Sequence, residues 1–193
     1  MDLPLSVLSQ VTTALDHLGI PYVLVGSFAS SIHGMYRSTA DIDLLADIKA
    51  EQVGPLFKTL QNSFYLDEHV MADAVAHGRS FNAIHFDSVF KVDIFVSKSD
   101  DFAVAQLSRR ELRKISPESA EAVWVATAED TILAKLSWYR AGNETSDTQW
   151  KDVLGILGTS HDILDLKYLV TWAERLHVTD LLENALGEIQ ENS

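Results

Sequence analysis

Cysteine is absent from the 193 residues. That excludes disulfides, thiolate zinc sites, Fe–S clusters and cysteine nucleophiles, and it fits a cytoplasmic location. Basic residues are scarce. Fifteen Lys and Arg stand against 28 Asp and Glu, a formal charge of −13. Such a surface repels nucleic acid unless its cations cluster. The densest group, Arg109, Arg110, Arg113 and Lys114, is small, so no strong nucleic-acid footprint is expected. There are 4 prolines and 9 glycines, and they gather into no linker or low-complexity tract. No apolar run approaches the ~20 residues that a membrane helix needs. The opening stretch, MDLPLSVLSQ, lacks the basic start of a secretory signal. Several catalytic motifs are missing too: no P-loop, no G-x-G-x-x-G, no H-E-x-x-H and no G-x-S-x-G. An EF-hand starting at Asp41 fails, because its loop glycine would be Ala46 and its last ligand Gln52.

What remains is an ordinary packed chain, 47% hydrophobic and 22% charged. Its length suits one domain with a small appendage. Apolar spacing predicts a first helix over 5–18, stopped by Gly19 and Pro21. A buried strand follows over 22–25, then Gly26-Ser27, then a helix over 28–33. Asp41 to Ala46 (DIDLLA) reads as a second strand, 52–61 as a helix and 68–77 as another. Strands over 81–86 and 89–96 are expected to form a hairpin about Asp87-Ser88. Shorter strands are expected over 110–115 and 122–125. Beyond Thr127 the pattern turns helical: 128–141 with Thr127 as N-cap, then 150–157, 164–176 and 180–189. The polar GNETSDT stretch (142–148) separates the first two. The expected architecture is α+β: a mixed sheet flanked by helices over 1–126, and a helical subdomain over 127–193.

The chemistry concentrates on aspartates. On a strand, residues two apart share a face about 6.5–7 Å from each other. Asp41 and Asp43 therefore lie side by side while Ile42 and Leu44 face the core. Paired carboxylates repel unless a cation neutralises them or one is protonated, and Mg²⁺ prefers such oxygen ligands. Asp93 sits in a second apolar strand, KVDIFV, where a carboxylate needs a partner. If that strand adjoins DIDLLA, three carboxylates converge, enough for a two-metal site. Taken singly, each aspartate has a plainer reading as a solvated strand residue. Gly26-Ser27 stands at a strand-to-helix switch, where free N–H groups and the helix dipole favour a phosphate. Ser27 taken alone is equally a simple N-cap.

Together these pieces form a pattern. Gly26-Ser27, the segment Arg37-Ser38-Thr39-Ala40-Asp41-Ile42-Asp43-Leu44, and the later Asp93 resemble the polymerase-β-like nucleotidyltransferase superfamily. The R-x-T-x-D-I-D-L form is similar to its AbiEii-like bacterial branch of toxin-type nucleotidyltransferases. Glu129 to Leu136, with Lys135, and Gln149-Trp150-Lys151-Asp152 look like the helical elements of that branch. Gln149 and Gly155 stand where the pattern has a basic and an acidic residue. The resemblance implies transfer of an NMP group from an NTP, with two Mg²⁺ ions, to an acceptor hydroxyl. Asp41, Asp43 and Asp93 would hold metal, with Asp93 also able to accept the acceptor's proton. Gly26 and Ser27 would bind the outer phosphates. Lys135, Lys151 and Arg37 would balance phosphate charge, unless Arg37 instead braces the D-x-D strand. The acceptor stays open: a protein, a tRNA end or a small molecule. A cognate toxin or antitoxin partner is implied, and a non-catalytic, antitoxin-like role is the alternative.

Overall fold

The computed structural model describes residues 3–34, 41–97, 100–114 and 122–191. The chain divides into two compact units: Met1–Val25 with Thr39–Ala126, and Gly26–Ser38 with Thr127–Ser193.

The first unit is built on a seven-stranded sheet. Its strands in chain order are β1 (Tyr22–Val25), β2 (Asp41–Ala46), β3 (Phe64–Tyr65), β4 (Ser80–His85), β5 (Lys91–Val96), β6 (Glu111–Lys114) and β7 (Ala122–Val125). Across the sheet the order is β3-β4-β5-β2-β1-β7-β6. β2 runs parallel to β5 and antiparallel to β1, so the sheet is mixed. The strand that carries Asp93, β5, thus adjoins DIDLLA, with β1 on the other side of β2.

Period-two alternation makes one face dry. Leu24, Ile42, Leu44, Val92 and Ile94 are fully buried, as β-branched and aliphatic side chains on a covered pleat should be. Helix α1 (Leu3–His17) contributes Val7, Leu8, Val11 and Leu15, also fully buried. The other face is only partly covered. Helix α5 (Asp101–Arg109) brings Ala103 and Leu107 against Val23 and Leu45, with Phe95 and Val25 packed alongside. Asp41 and Asp43 lie farther toward the start of β2 on that same face, and both remain half-buried.

Helices α3 (Val53–Leu60) and α4 (Glu68–His77) complete this unit. Asp67 caps α4, accepting from the backbone N–H of His69 at 2.8 Å and of Val70 at 3.1 Å. Gly78, at φ +58°, ends it in the left-handed conformation that glycine adopts without strain. Helix α5 was not expected from the sequence; Asp100 caps it through the Ala103 N–H at 2.8 Å. The two-residue β3 was not expected either. The β4–β5 connection is longer than Asp87-Ser88 alone, because Val89 takes φ +56°. The loop closes with the Val89 N–H on the His85 carbonyl at 2.8 Å and the His85 N–H on the Phe90 carbonyl at 2.9 Å.

The second unit is helical: α2 (Gly26–His33), α6 (Ala128–Ala141), α7 (Asp147–Ser160), α8 (Leu166–Arg175) and α9 (Thr179–Glu191). Thr127 caps α6 as expected, its hydroxyl accepting from the Asp130 N–H at 3.2 Å. Helix α2 packs on α6 and α7, and α9 packs on α7 and α8. At Gly34, just past α2, an added Cβ would stand 3.1 Å from the Ile156 nitrogen and 3.2 Å from the Gly155 carbonyl carbon. Glycine at 34 therefore lets the end of α2 meet the α7 backbone at Gly155 and Ile156.

Candidate functional site

The sheet register assembles the aspartates. Asp43 on β2 stands opposite Asp93 on β5, and Asp41 stands opposite Lys91. Register partners project to the same face, so Asp41, Asp43, Lys91 and Asp93 form one patch. One carboxylate oxygen from each aspartate lies within 4.8 Å of the others, and all three residues are half-buried. The sequence expectation of converging carboxylates is met in this geometry.

Lys91 completes the patch. Its ammonium lies 2.6 Å from Asp93 Oδ2; the Asp93 side chain is 15% exposed and that of Lys91 41%. The hydrogen bond to Asp93 pushes the Lys91 pKa above its ordinary value. Burial works the other way, and the negative charges of Asp93, Asp41 and Asp43 add to the rise. Sequence reasoning did not single out Lys91; the K-x-D spacing on one strand face is the signal that could have found it. Asn82 on β4 stands opposite Asp93 and is exposed; nothing in the sequence distinguished it.

Three carboxylates so close repel one another unless cations share the space. The donor set is all hard oxygen, the chemistry that Mg²⁺ takes, at about 2.0–2.1 Å per ligand. The ammonium already drawn to Asp93 shows that the patch attracts a cation. The residues present therefore fit a divalent ion.

The remaining candidate residues belong to the helical unit. Gly26 opens α2 at φ +63°, a conformation costly for any residue with a Cβ. Ser27 follows it in the first turn, and its carbonyl accepts from the Ser31 hydroxyl at 3.0 Å. Lys135 is 4% exposed on α6, and its ammonium lies 2.7 Å from Asp152 Oδ2 on α7, itself 8% exposed. Lys151 is exposed. Arg37 lies outside the described residues. Elsewhere in the helical unit, Asp130 is fully buried and accepts from the Tyr168 hydroxyl at 2.6 Å. The Glu129 carboxylate accepts from the Asp165 N–H at 2.9 Å. These two carboxylates, in the first turn of α6, tie it to the start of α8.

Among the described residues, no helix is long and apolar enough to cross a membrane. No curated protein matches the chain in sequence. Solved structures share its fold at low identity. A nucleotidyltransferase-like antigen from Paracoccidioides brasiliensis aligns at 15% identity over 93% of this chain and 90% of its own, with a TM-score of 0.57. ANT(2")-Ia, crystallised in complex with adenylyl-2"-tobramycin, aligns at 14% over 89% of this chain and 95% of its own, with a TM-score of 0.53. The solution structure of that antibiotic-resistance factor aligns at 14% over 100% of this chain and 98% of its own, with a TM-score of 0.51. Residues 5–181 match the family described as nucleotidyltransferase of unknown function (DUF6036), and with nearly its whole length so matched the chain belongs to that nucleotidyltransferase family.

Proposed function

We propose that this nucleotidyltransferase moves an NMP group from an Mg²⁺-bound NTP to an acceptor hydroxyl, with Asp41, Asp43 and Asp93 as the metal-holding and catalytic carboxylates. The observation that carries the reading is the convergence of three carboxylate oxygens within 4.8 Å. Asp41 and Asp43, two apart on one strand, would hold both ions, and Asp93 would complete the ligand set of one. When bound, Mg²⁺ supplies charge neutralisation to the triphosphate and acidity to the acceptor hydroxyl.

The chain's own residues do the rest by positioning. The parallel pairing of β2 with β5 holds the three carboxylates on one sheet face. Asp93 takes the acceptor's proton on its carboxylate as the new O–P bond forms and pyrophosphate departs. Gly26 and Ser27 offer backbone N–H groups and a hydroxyl to the outer phosphates, a use that helix N-termini serve well. Lys135, Lys151 and Arg37 are the proposed balancing cations.

The acceptor class is assayed in three arms. ANT(2")-Ia carries an adenylylated antibiotic in its crystal, which makes a small hydroxylated molecule the first arm. A protein, as for an AbiEii-like toxin with a cognate antitoxin, and a tRNA end are the others. The scarcity of basic side chains favours the small molecule over the tRNA. The deciding experiment titrates ATP, GTP, CTP and UTP into the protein by calorimetry, with and without Mg²⁺. Binding of at least one NTP that needs Mg²⁺ and disappears in Asp43→Asn supports the reading. Binding that ignores both the metal and the substitution overturns it.

A further inference from the structure

Lys91 occupies an unusual place for a lysine. It opens β5 opposite Asp41 and stands two residues before Asp93, on the one sheet face that carries three aspartates. Its side chain is 41% exposed, so its flexible stem has solvent within reach, yet its ammonium rests 2.6 Å from Asp93 Oδ2. A lysine is a strongly hydrated point charge that gives up water only where the field is favourable. Here the field comes from the aspartates that share this face, one of which, Asp93, holds the ammonium directly.

We infer that Lys91 is the resident counter-cation of the carboxylate triad, and that it sets the metal affinity of the site by competing for Asp93. The inference rests on the metal reading of the triad. One oxygen cannot serve an ammonium and a divalent ion at full strength. Metal entry therefore exchanges partners at Asp93 Oδ2: the ammonium leaves, the ion arrives, and Lys91 keeps its proton, so no proton or electron changes hands. A divalent ion brings twice the ammonium's charge to the same oxygen, which is what lets it win the exchange. The partial exposure of Lys91 lets the released ammonium reach water or an anionic substrate without repacking the sheet. Lys91 acts as a positioning residue: it holds the Asp93 carboxylate in place while no metal is bound and raises the metal concentration that the site needs.

Removing the ammonium must then have two effects of opposite sign. The metal-free protein loses stability, because the Asp93 carboxylate loses its ammonium partner. Metal affinity rises, because the competitor and a like charge are gone. A merely structural ion pair would lower stability and leave affinity alone.

The test titrates Mn²⁺ into nucleotide-free protein and reads free Mn²⁺ by its EPR signal. The variants are Lys91→Met, Lys91→Gln and Lys91→Arg, with Lys58→Met, at an exposed position of α3, as the control for net charge. Lys91→Met and Lys91→Gln are expected to bind Mn²⁺ roughly tenfold tighter than wild type, the scale of one charge-assisted contact. Lys91→Arg stays near the wild-type value, and Lys58→Met does not move. In the same samples Lys91→Met melts lower than wild type without metal and gains more from Mn²⁺. Should Lys91→Met fail to fold, Lys91→Gln, which keeps a polar donor, gives the comparison. Equal or weaker Mn²⁺ binding in folded Lys91→Met and Lys91→Gln overturns the inference while leaving the metal reading intact, provided Asp43→Asn has lost binding. Absence of Mn²⁺ binding in wild type and Lys91 variants alike overturns both.

Discussion

Asp43 and Asp93 stand opposite each other on parallel neighbouring strands, two like charges locked in register by the β2–β5 ladder. Like charges in such a position oppose the fold, by about 0.2–1 kcal/mol per pair. Asp43→Asn keeps the shape and removes one charge. Its metal-free melting temperature should therefore equal wild type or rise by about 1–4 °C, while Mg²⁺-dependent NTP binding is lost. Thermal melts and calorimetry on one preparation check both halves. A variant that unfolds, or one that binds NTP with Mg²⁺ as wild type does, makes Asp43 a structural residue.

The readable parts of this fold are those where one local pattern dominates. DIDLLA spans the strand Asp41–Ala46 and α6 spans Ala128–Ala141 as expected, because alternation marks the first and a Thr cap with an acidic first turn marks the second. Helix α5 was illegible. Its outward positions include an apolar residue, Val104, 51% exposed, which blurs the amphipathic stripe. The hairpin turn was misplaced because Val89, a β-branched residue, adopts a left-handed φ that its identity argues against. The triad was legible as residue types, but its assembly needed the register. The Lys91–Asp93 contact follows from spacing once the strand is accepted. The Lys135–Asp152 pair, 17 residues apart on two helices, required the packing of α6 on α7.

Tyr22 should make the protein sensitive to alkali. Burial raises its phenol from 10.0 to about 12, and the negative charge of Asp16, 3.4 Å from the hydroxyl, adds to the rise. A folded pKa above the unfolded value means that the folded state binds more protons between the two. Stability is then intact below about pH 10 and falls as pH rises toward 12. The expected loss is roughly 2–3 kcal/mol over that window. Tyr22→Phe removes the titration, so urea unfolding at pH 9, 10 and 11 should show a flatter decline than wild type. A decline of equal slope in the two proteins would assign the alkaline loss to other groups.

Gly34 should tolerate no side chain. A Cβ there meets two backbone atoms at 3.1 Å, the Ile156 nitrogen and the Ser30 carbonyl oxygen, and neither can swing away as a side chain would. Gly34→Ala is expected to cost about 1–3 kcal/mol, the scale of overpacking. Nearby, the Thr159 hydroxyl donates to the His33 carbonyl at 2.6 Å, so the same shift would strain a second link between α2 and α7. Gly187→Ala is the control, since nothing lies within 4 Å of a Cβ there; it should be neutral or stabilising, as alanine is the better helix former. Equal melting temperatures for the two variants would show that α2 and α7 adjust freely.

Lys135 and Asp152 form a pair 2.7 Å apart, both side chains under a tenth exposed. Burying two charges is costly, and their attraction repays it only while both are present. Lys135→Met withdraws the ammonium from a buried carboxylate and should destabilise by about 3–5 kcal/mol. Lys135→Met with Asp152→Leu replaces the pair by apolar groups of similar size and should recover most of that loss. The double variant then isolates any part that Lys135 plays at a nucleotide, free of the folding defect. If the lysine also serves the outer phosphates, the double variant binds ATP roughly tenfold or more weakly than wild type, while AMP binding holds. If ATP and AMP bind the double variant as they bind wild type, Lys135 is the clasp between α6 and α7, and the phosphate charge is balanced elsewhere. Unchanged stability in Lys135→Met would contradict the buried pair itself.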